Sequence, residues 1–296
     1  MTAGRWELLR ALGAVADSPA AARAVAPALG LEPASDAEHT EVFVLNCLPY
    51  TSVYLGPEGG LGGEGTDRVA GFWRALGLVP PAEPDHLAAL LGLYARLGEA
   101  AGDTSRPVTA AALTLSRAAL LDEHLWPWLP CYLDAVTDLA VPPLAAWAEL
   151  TRRAVTAELA APPAGHAAGR RLPLALRAAP DGASPDGRLG DLVDAVVAPV
   201  RSGMILTRRR LALGAGQARV GHRIGERRFA LRAMLEQDPA ATLGWLGAEA
   251  HRWELRHAGR GGTGAAGTGD PAAAWWTARA AHTARLLTAA AGGTGA

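Results

Sequence analysis

Lysine is absent from this 296-residue chain, so all 28 of its basic residues are arginine. That absence removes the Gly-Lys-Ser/Thr ending of a phosphate loop, and Gly214-Ala215-Gly216 alone is too slight a pattern to stand in for one. It also means that an arginine cluster here carries no evidence of a preference for arginine over lysine. Cysteine is scarce: Cys47 and Cys131 lie far apart and form no paired motif, which argues against a zinc site or a disulfide framework. No run of 18 apolar residues is present, so no membrane span is expected. Residues 1–20 carry Arg5, Glu7 and Arg10 where a secretion signal needs an uninterrupted apolar core. A serine nucleophile elbow is missing, and no internal repeat is evident. Ile, Phe and Tyr are sparse while Ala and Leu dominate a chain that is 50% hydrophobic, a balance that favours helices over sheets. The expectation is a globular, cytoplasmic, all-α protein with no enzymatic activity, no cofactor and no metal.

The apolar spacing predicts where those helices fall. Trp6, Leu8, Leu9 and Leu12 start one, residues 19–29 form a second, and residues 38–47 form a third that Pro49 stops. The glycine-rich stretch 56–65 reads as a loop, followed by a helix over residues 66–76. Leu87, Leu90, Leu91, Tyr94 and Leu97 recur at core-facing spacing along the next helix. A helix over residues 107–131 begins with proline in its first turn and must kink or divide at Pro127. Pro142-Pro143 opens another. The proline-, glycine- and alanine-rich stretch 161–190 reads as a linker or excursion, and helical patterning returns at 189–200, 218–237 and 239–257. A glycine-rich connector over 259–270 then precedes a short terminal helix. The expected organisation is a helical domain over 1–160, the linker over 161–190, an arginine-rich helical region over 191–258, and the connector and last helix over 259–296.

Two short motifs stand out from this background. The first is an aromatic turn, Pro49-Tyr50-Thr51-Ser52-Val53-Tyr54-Leu55, and the second is Glu83-Pro84-Asp85-His86 at the mouth of a helix. Asp85 is placed to cap that helix by accepting its orphan backbone N–H groups, with Pro84 orienting the entry. Tyr50, Tyr54 and Trp73 fit ordinary core packing with a hydrogen-bonded tip equally well. A metal centre needs three or more converging ligands. Glu83, Asp85 and His86 are too close in sequence to supply them alone, and His39 and His124 are not evidently placed to complete the set.

These motifs, followed by His124-Leu125-Trp126-Pro127-Trp128-Leu129, resemble in order and spacing the TorD/DmsD/NarJ family of molybdoenzyme-specific chaperones, over residues 38–160. The resemblance implies a TorD-like helical bundle, here with additional C-terminal helices. It also implies that the acid-histidine motif binds the leader peptide of a partner enzyme. Leu90 and Gly92 stand where family members often carry glutamates on the same helix. The implied partner is the catalytic subunit of a molybdopterin oxidoreductase, held through its twin-arginine leader, its apo-form or both, before export or assembly. The implied client-binding residues are Glu83, Pro84, Asp85, His86, Pro49, Tyr50, Ser52 and Tyr54. Two guanidinium groups followed by an apolar segment require carboxylates beside an aromatic and aliphatic wall, and residues 1–100 hold twelve acids against six arginines.

Net charge is only −1, but residues 201–232 hold nine arginines against the single acid Glu226. Arg219, Arg223 and Arg227 fall at i, i+4, i+8, which on one helix is a basic strip. That strip supports a second reading, a helical regulator or nucleic-acid-binding module, although no recognised nucleic-acid motif accompanies it and nucleic acid is not the expected partner. Pairing of the strip with the acidic N-terminal half is the structural alternative.

Overall fold

The structure is a computed structural model that describes residues 3–161, 171–184, 188–261 and 270–293. The chain is 75% helical, with 16 α-helices and no strands among the described residues, so it is all-α as its composition requires. It divides into two compact units: residues 1–52 with 61–170, and residues 53–60 with 171–296.

In the first unit the helix Ala3–Asp17 lies along Leu87–Asp103, which packs in turn on Pro107–Leu120. Gly13 permits the first approach, because a Cβ there would sit 3.0 Å from the Ala88 Cα. The helices Leu129–Asp138 and Pro142–Leu159 complete the unit. Its interior is built on Trp147, which meets Phe43 edge-on at 5.2 Å and donates its indole N–H to the Leu12 carbonyl at 2.9 Å. That bond satisfies a polar group that would otherwise be costly to bury. The predicted 107–131 helix is divided: it runs Pro107–Leu120, widens into π-helical geometry over Leu121–Leu125, and restarts at Leu129 beyond Pro127. The residues predicted as helix 38–47 start as Asp36–His39, under a Ser35/Glu38 capping box, and continue as a second π-helical turn over Thr40–Asn46.

A buried ionic cluster, not legible in the sequence, ties four helices of this unit together. Glu158 accepts from Arg5, from Arg117 at 3.0 Å and from the Tyr94 hydroxyl at 2.8 Å. Both guanidinium groups lie over the Trp6 ring, at 4.7 and 5.3 Å from its centroid.

The second unit is organised on a pair of 23-residue helices, Pro239–Gly261 and Pro271–Gly293. The expectation of a short terminal helix is therefore corrected. Its buried face alternates small and large residues (Ala272, Ala273, Ala280 and Ala284 with Trp276 and Leu287), so spacing arguments based on bulk see only part of its length. His257 is buried between Trp253 and Trp276, its Nε2–H donating to the Gly203 carbonyl at 2.8 Å and its Nδ1 accepting from Arg260. Gly203 takes φ 76°, and a Cβ there would collide with the Ala280 backbone. The described part of 161–190 holds a short helix, Leu174–Arg177; residues 162–170, 185–187 and 262–269, from the expected linker and glycine-rich connector, lie outside the described residues.

The predicted helix over 218–237 is also corrected. One helix ends at Ala218, where Arg219 takes a left-handed φ of 57°, and a new one starts at Arg227. Val220-Gly221 and Gly225 interrupt the pattern, so Arg219, Arg223 and Arg227 share no helical face. The described ion pairs of the arginine-rich segment run to acids of its own unit: Arg210 to Glu249 at 2.6 Å, and Arg228 to Asp194 at 2.8 Å and Glu226 at 3.2 Å.

Candidate functional site

The two motifs singled out in the sequence meet in the first unit. Tyr50 and His86 form an isolated antiparallel bridge, flanked by Leu87 N–H donating to the Pro49 carbonyl at 2.8 Å and Thr51 N–H donating to the Asp85 carbonyl at 3.0 Å. Thirty residues of loop and helix therefore close on themselves at this point. Pro49 cannot donate and leads into Tyr50 outside any helix, whereas Pro84 and Asp85 form a turn, closed by the His86 N–H on the Glu83 carbonyl at 3.3 Å, that delivers His86 to the bridge.

Asp85 does not cap its own helix. The cap of Leu87–Asp103 is His86, whose Nδ1 accepts the Ala88 N–H at 3.1 Å. The Asp85 carboxylate instead reaches across the bridge to accept the Ser52 N–H at 3.0 Å, within the first turn of the helix Thr51–Leu55. The N–H groups of a helix start want an acceptor wherever one is supplied, and the bridge brings the Ser52 N–H within reach. Asp85 is 2% exposed. Pro84 is held from the other side, its carbonyl accepting the Trp73 indole N–H at 3.2 Å.

Solvent is reached by Glu83, which is exposed, and by the edge of Tyr50. The Tyr50 ring meets His86 edge-on at 4.7 Å. Its hydroxyl is pushed up to about 12, first by burial, then by the hydrogen bond to Glu83 and the fields of Glu83, Asp85 and Asp17. Burial holds His86 below its ordinary value, against the opposing pull of Asp17, Glu83 and Asp85. Asp17, at the end of the first helix and exposed, is thus an electrostatic member of the site. Sequence reasoning missed it because nothing near Asp17 in the chain marks it.

Pro49 and Ser52 are buried, and the Ser52 hydroxyl has no hydrogen-bond partner among the described residues. Tyr54 is buried too, but it lies on the 53–60 segment that belongs to the second unit. The third motif joins the first: the His124 carbonyl accepts the Trp128 indole N–H at 2.8 Å and, more weakly, the Thr51 hydroxyl at 3.5 Å. The His124 ring packs at 4.8 Å from Phe72, and burial lowers its pKa to about 4, with the Arg68 charge adding to the shift. No group of three or more His, Cys, Asp or Glu able to hold a metal occurs among the described residues.

The fold and this clasp define a class: an all-helical protein whose marked residues brace a turn and leave carboxylates and an aromatic edge at the surface. Residues 8–133, less than half of the chain, match the family model of the nitrate reductase delta subunit, the NarJ/TorD-type chaperone family that the motifs resemble. That family consists of molybdoenzyme maturation chaperones, whose partners are molybdoenzyme catalytic subunits. No curated protein matches the chain. No described helix is long and apolar enough to cross a membrane.

Proposed function

We propose that this protein is a cytoplasmic, non-enzymatic chaperone that binds the twin-arginine leader of a molybdopterin oxidoreductase catalytic subunit and assists the maturation of its apo-form. The observation that carries the reading is the clasp between residues 49–52 and 83–87, which sets the exposed Glu83 carboxylate beside the Tyr50 hydroxyl, where the field of the exposed Asp17 also reaches. Guanidinium groups pair strongly with carboxylates and stack on aromatic faces, so this arrangement suits a peptide carrying consecutive arginines. In this reading Glu83, Asp17 and Tyr50 touch the leader. Asp85, Pro84, Pro49 and Ser52 hold the turn that presents them, His86 backs the Tyr50 ring, and Tyr54 anchors the chain beyond it.

Titration calorimetry with a synthetic twin-arginine leader tests this directly. Wild type binds, and Glu83→Gln or Asp17→Asn weakens binding by about tenfold or more, the worth of one charge-assisted hydrogen bond. Absence of binding by wild type, or unchanged affinity in both variants, would refute the leader-binding role.

A further inference from the structure

The turn between the helices Arg208–Ala218 and Arg227–Gln237 is built in a way that leader binding does not use. It is held along the second helix at both ends. Gly221 donates to the Gln237 side-chain oxygen at 2.7 Å and accepts from the same amide at 3.0 Å, so one side chain satisfies both polar groups of one peptide residue. At the other end Gly225 lies against Phe229, and the Arg223 guanidinium sits 5.9 Å from the Phe229 ring centroid.

What this braced turn presents is unusual for a surface. Ile224 is 91% exposed and Phe229 48% exposed, while Arg219, His222, Arg223 and Arg232 around them are exposed as well. From 219 to 237 the chain carries five arginines against two acids, Glu226 and Glu236, and Glu226 is already paired with Arg228. Arg219 and Arg223 make no ion pair among the described residues.

We infer that residues 219–232 form a docking surface for an anionic lipid bilayer, with Ile224 and the Phe229 edge entering the headgroup boundary and Arg219, Arg223 and Arg232 resting on phosphates. The charge of the patch calls for an anionic partner, and the aliphatic tip selects among anionic partners. Nucleic acid offers phosphates but gains little from an aliphatic side chain standing in water. A bilayer interface takes up both at once, since apolar burial and attraction to anionic headgroups add there. The inference does not depend on leader binding.

The test is co-sedimentation of the full chain with vesicles of equal phosphatidylglycerol and phosphatidylcholine, against vesicles of phosphatidylcholine alone. The protein sediments with the former, and salt releases it. Replacing Arg219 by Asn, which tolerates the left-handed backbone, together with Arg223→Gln weakens binding by roughly 25-fold, about fivefold per arginine. Ile224→Asn weakens it severalfold without changing the melting temperature, and Ile224→Leu restores it. Equal sedimentation with both vesicle types, or Ile224→Asn behaving as wild type, would overturn the proposal. Retention on duplex DNA that is indifferent to Ile224, with no vesicle binding, would assign the patch to nucleic acid instead.

Discussion

The carboxylate of Asp85 keeps the Ser52 N–H satisfied in a place that water does not reach. Asp85→Ala leaves that donor orphaned and is expected to cost about 1–3 kcal/mol in urea unfolding, whereas Asp85→Asn retains an acceptor oxygen and costs less. The same residue therefore separates support from recognition. Asp85→Asn should leave leader affinity nearly intact if Glu83 and Asp17 are the contacts. The buried histidines supply a second residue-scale prediction. His124 and His257 are depressed by burial to about 4 and about 3, so in the unfolded chain they take up protons near pH 6.5 that the folded chain refuses. Their contribution to stability is complete above pH 6.5 and is lost as the pH falls toward 4, at up to about 1.4 kcal/mol per pH unit for each histidine. Unfolding free energies measured between pH 7 and 4.5 should show this slope, and it should flatten in His124→Gln.

At the scale of the element, the Glu158 cluster joins the helices Ala3–Asp17, Leu87–Asp103, Pro107–Leu120 and Pro142–Leu159 through polar side chains, beside their apolar contacts. Glu158→Ala leaves the Arg117 charge buried without its carboxylate and should destabilise the fold by about 3–5 kcal/mol in chemical denaturation. The sequence announces most helices of this region because proline, glycine and apolar spacing mark their ends and faces. It also singles out both segments of the clasp, but not their pairing: it reads Asp85 as the helix cap, a role that His86 takes. It is silent where partners are distant or where packing uses small residues. Asp17 and Glu158 act across the fold on groups remote in the chain, and on the buried face of Pro271–Gly293 only Trp276 and Leu287 are bulky, the alanines between them giving no signal of the helix's full length. The arginine strip misled because i, i+4, i+8 spacing has meaning only on an unbroken helix, and Gly221 and Gly225 break this one.

At the scale of the whole molecule, the part that matches the family is not a separable piece of chain. Residues 53–60 fall inside the matched span of 8–133, yet they belong to the compact unit otherwise made of residues 171–296. Arg227 donates to the Gly59 carbonyl at 3.1 Å and to the Leu206 carbonyl at 3.2 Å, and Arg228 donates to the Glu58 carbonyl. Gly59, at φ 62°, packs so closely that a Cβ would lie 2.6 Å from the Ala198 Cα. A fragment ending at residue 160 is expected to expose Val53, Tyr54 and Leu55, to bind a hydrophobic dye and to melt below the full chain; a fragment that melts like the full chain would show that the anchoring is dispensable.

This interleaving has a consequence for the order of events at the ribosome. The segment bearing Gly59 leaves the exit tunnel long before Arg227, which lies 168 residues downstream. At about 5–20 residues per second, the turn that follows Tyr50 waits on the order of ten seconds or more for the side chains that fasten it. Residues 58 and 59 are thus without the side chains that fasten them for much of the chain's synthesis, and the unit they belong to can close only after residues 171–296 have followed.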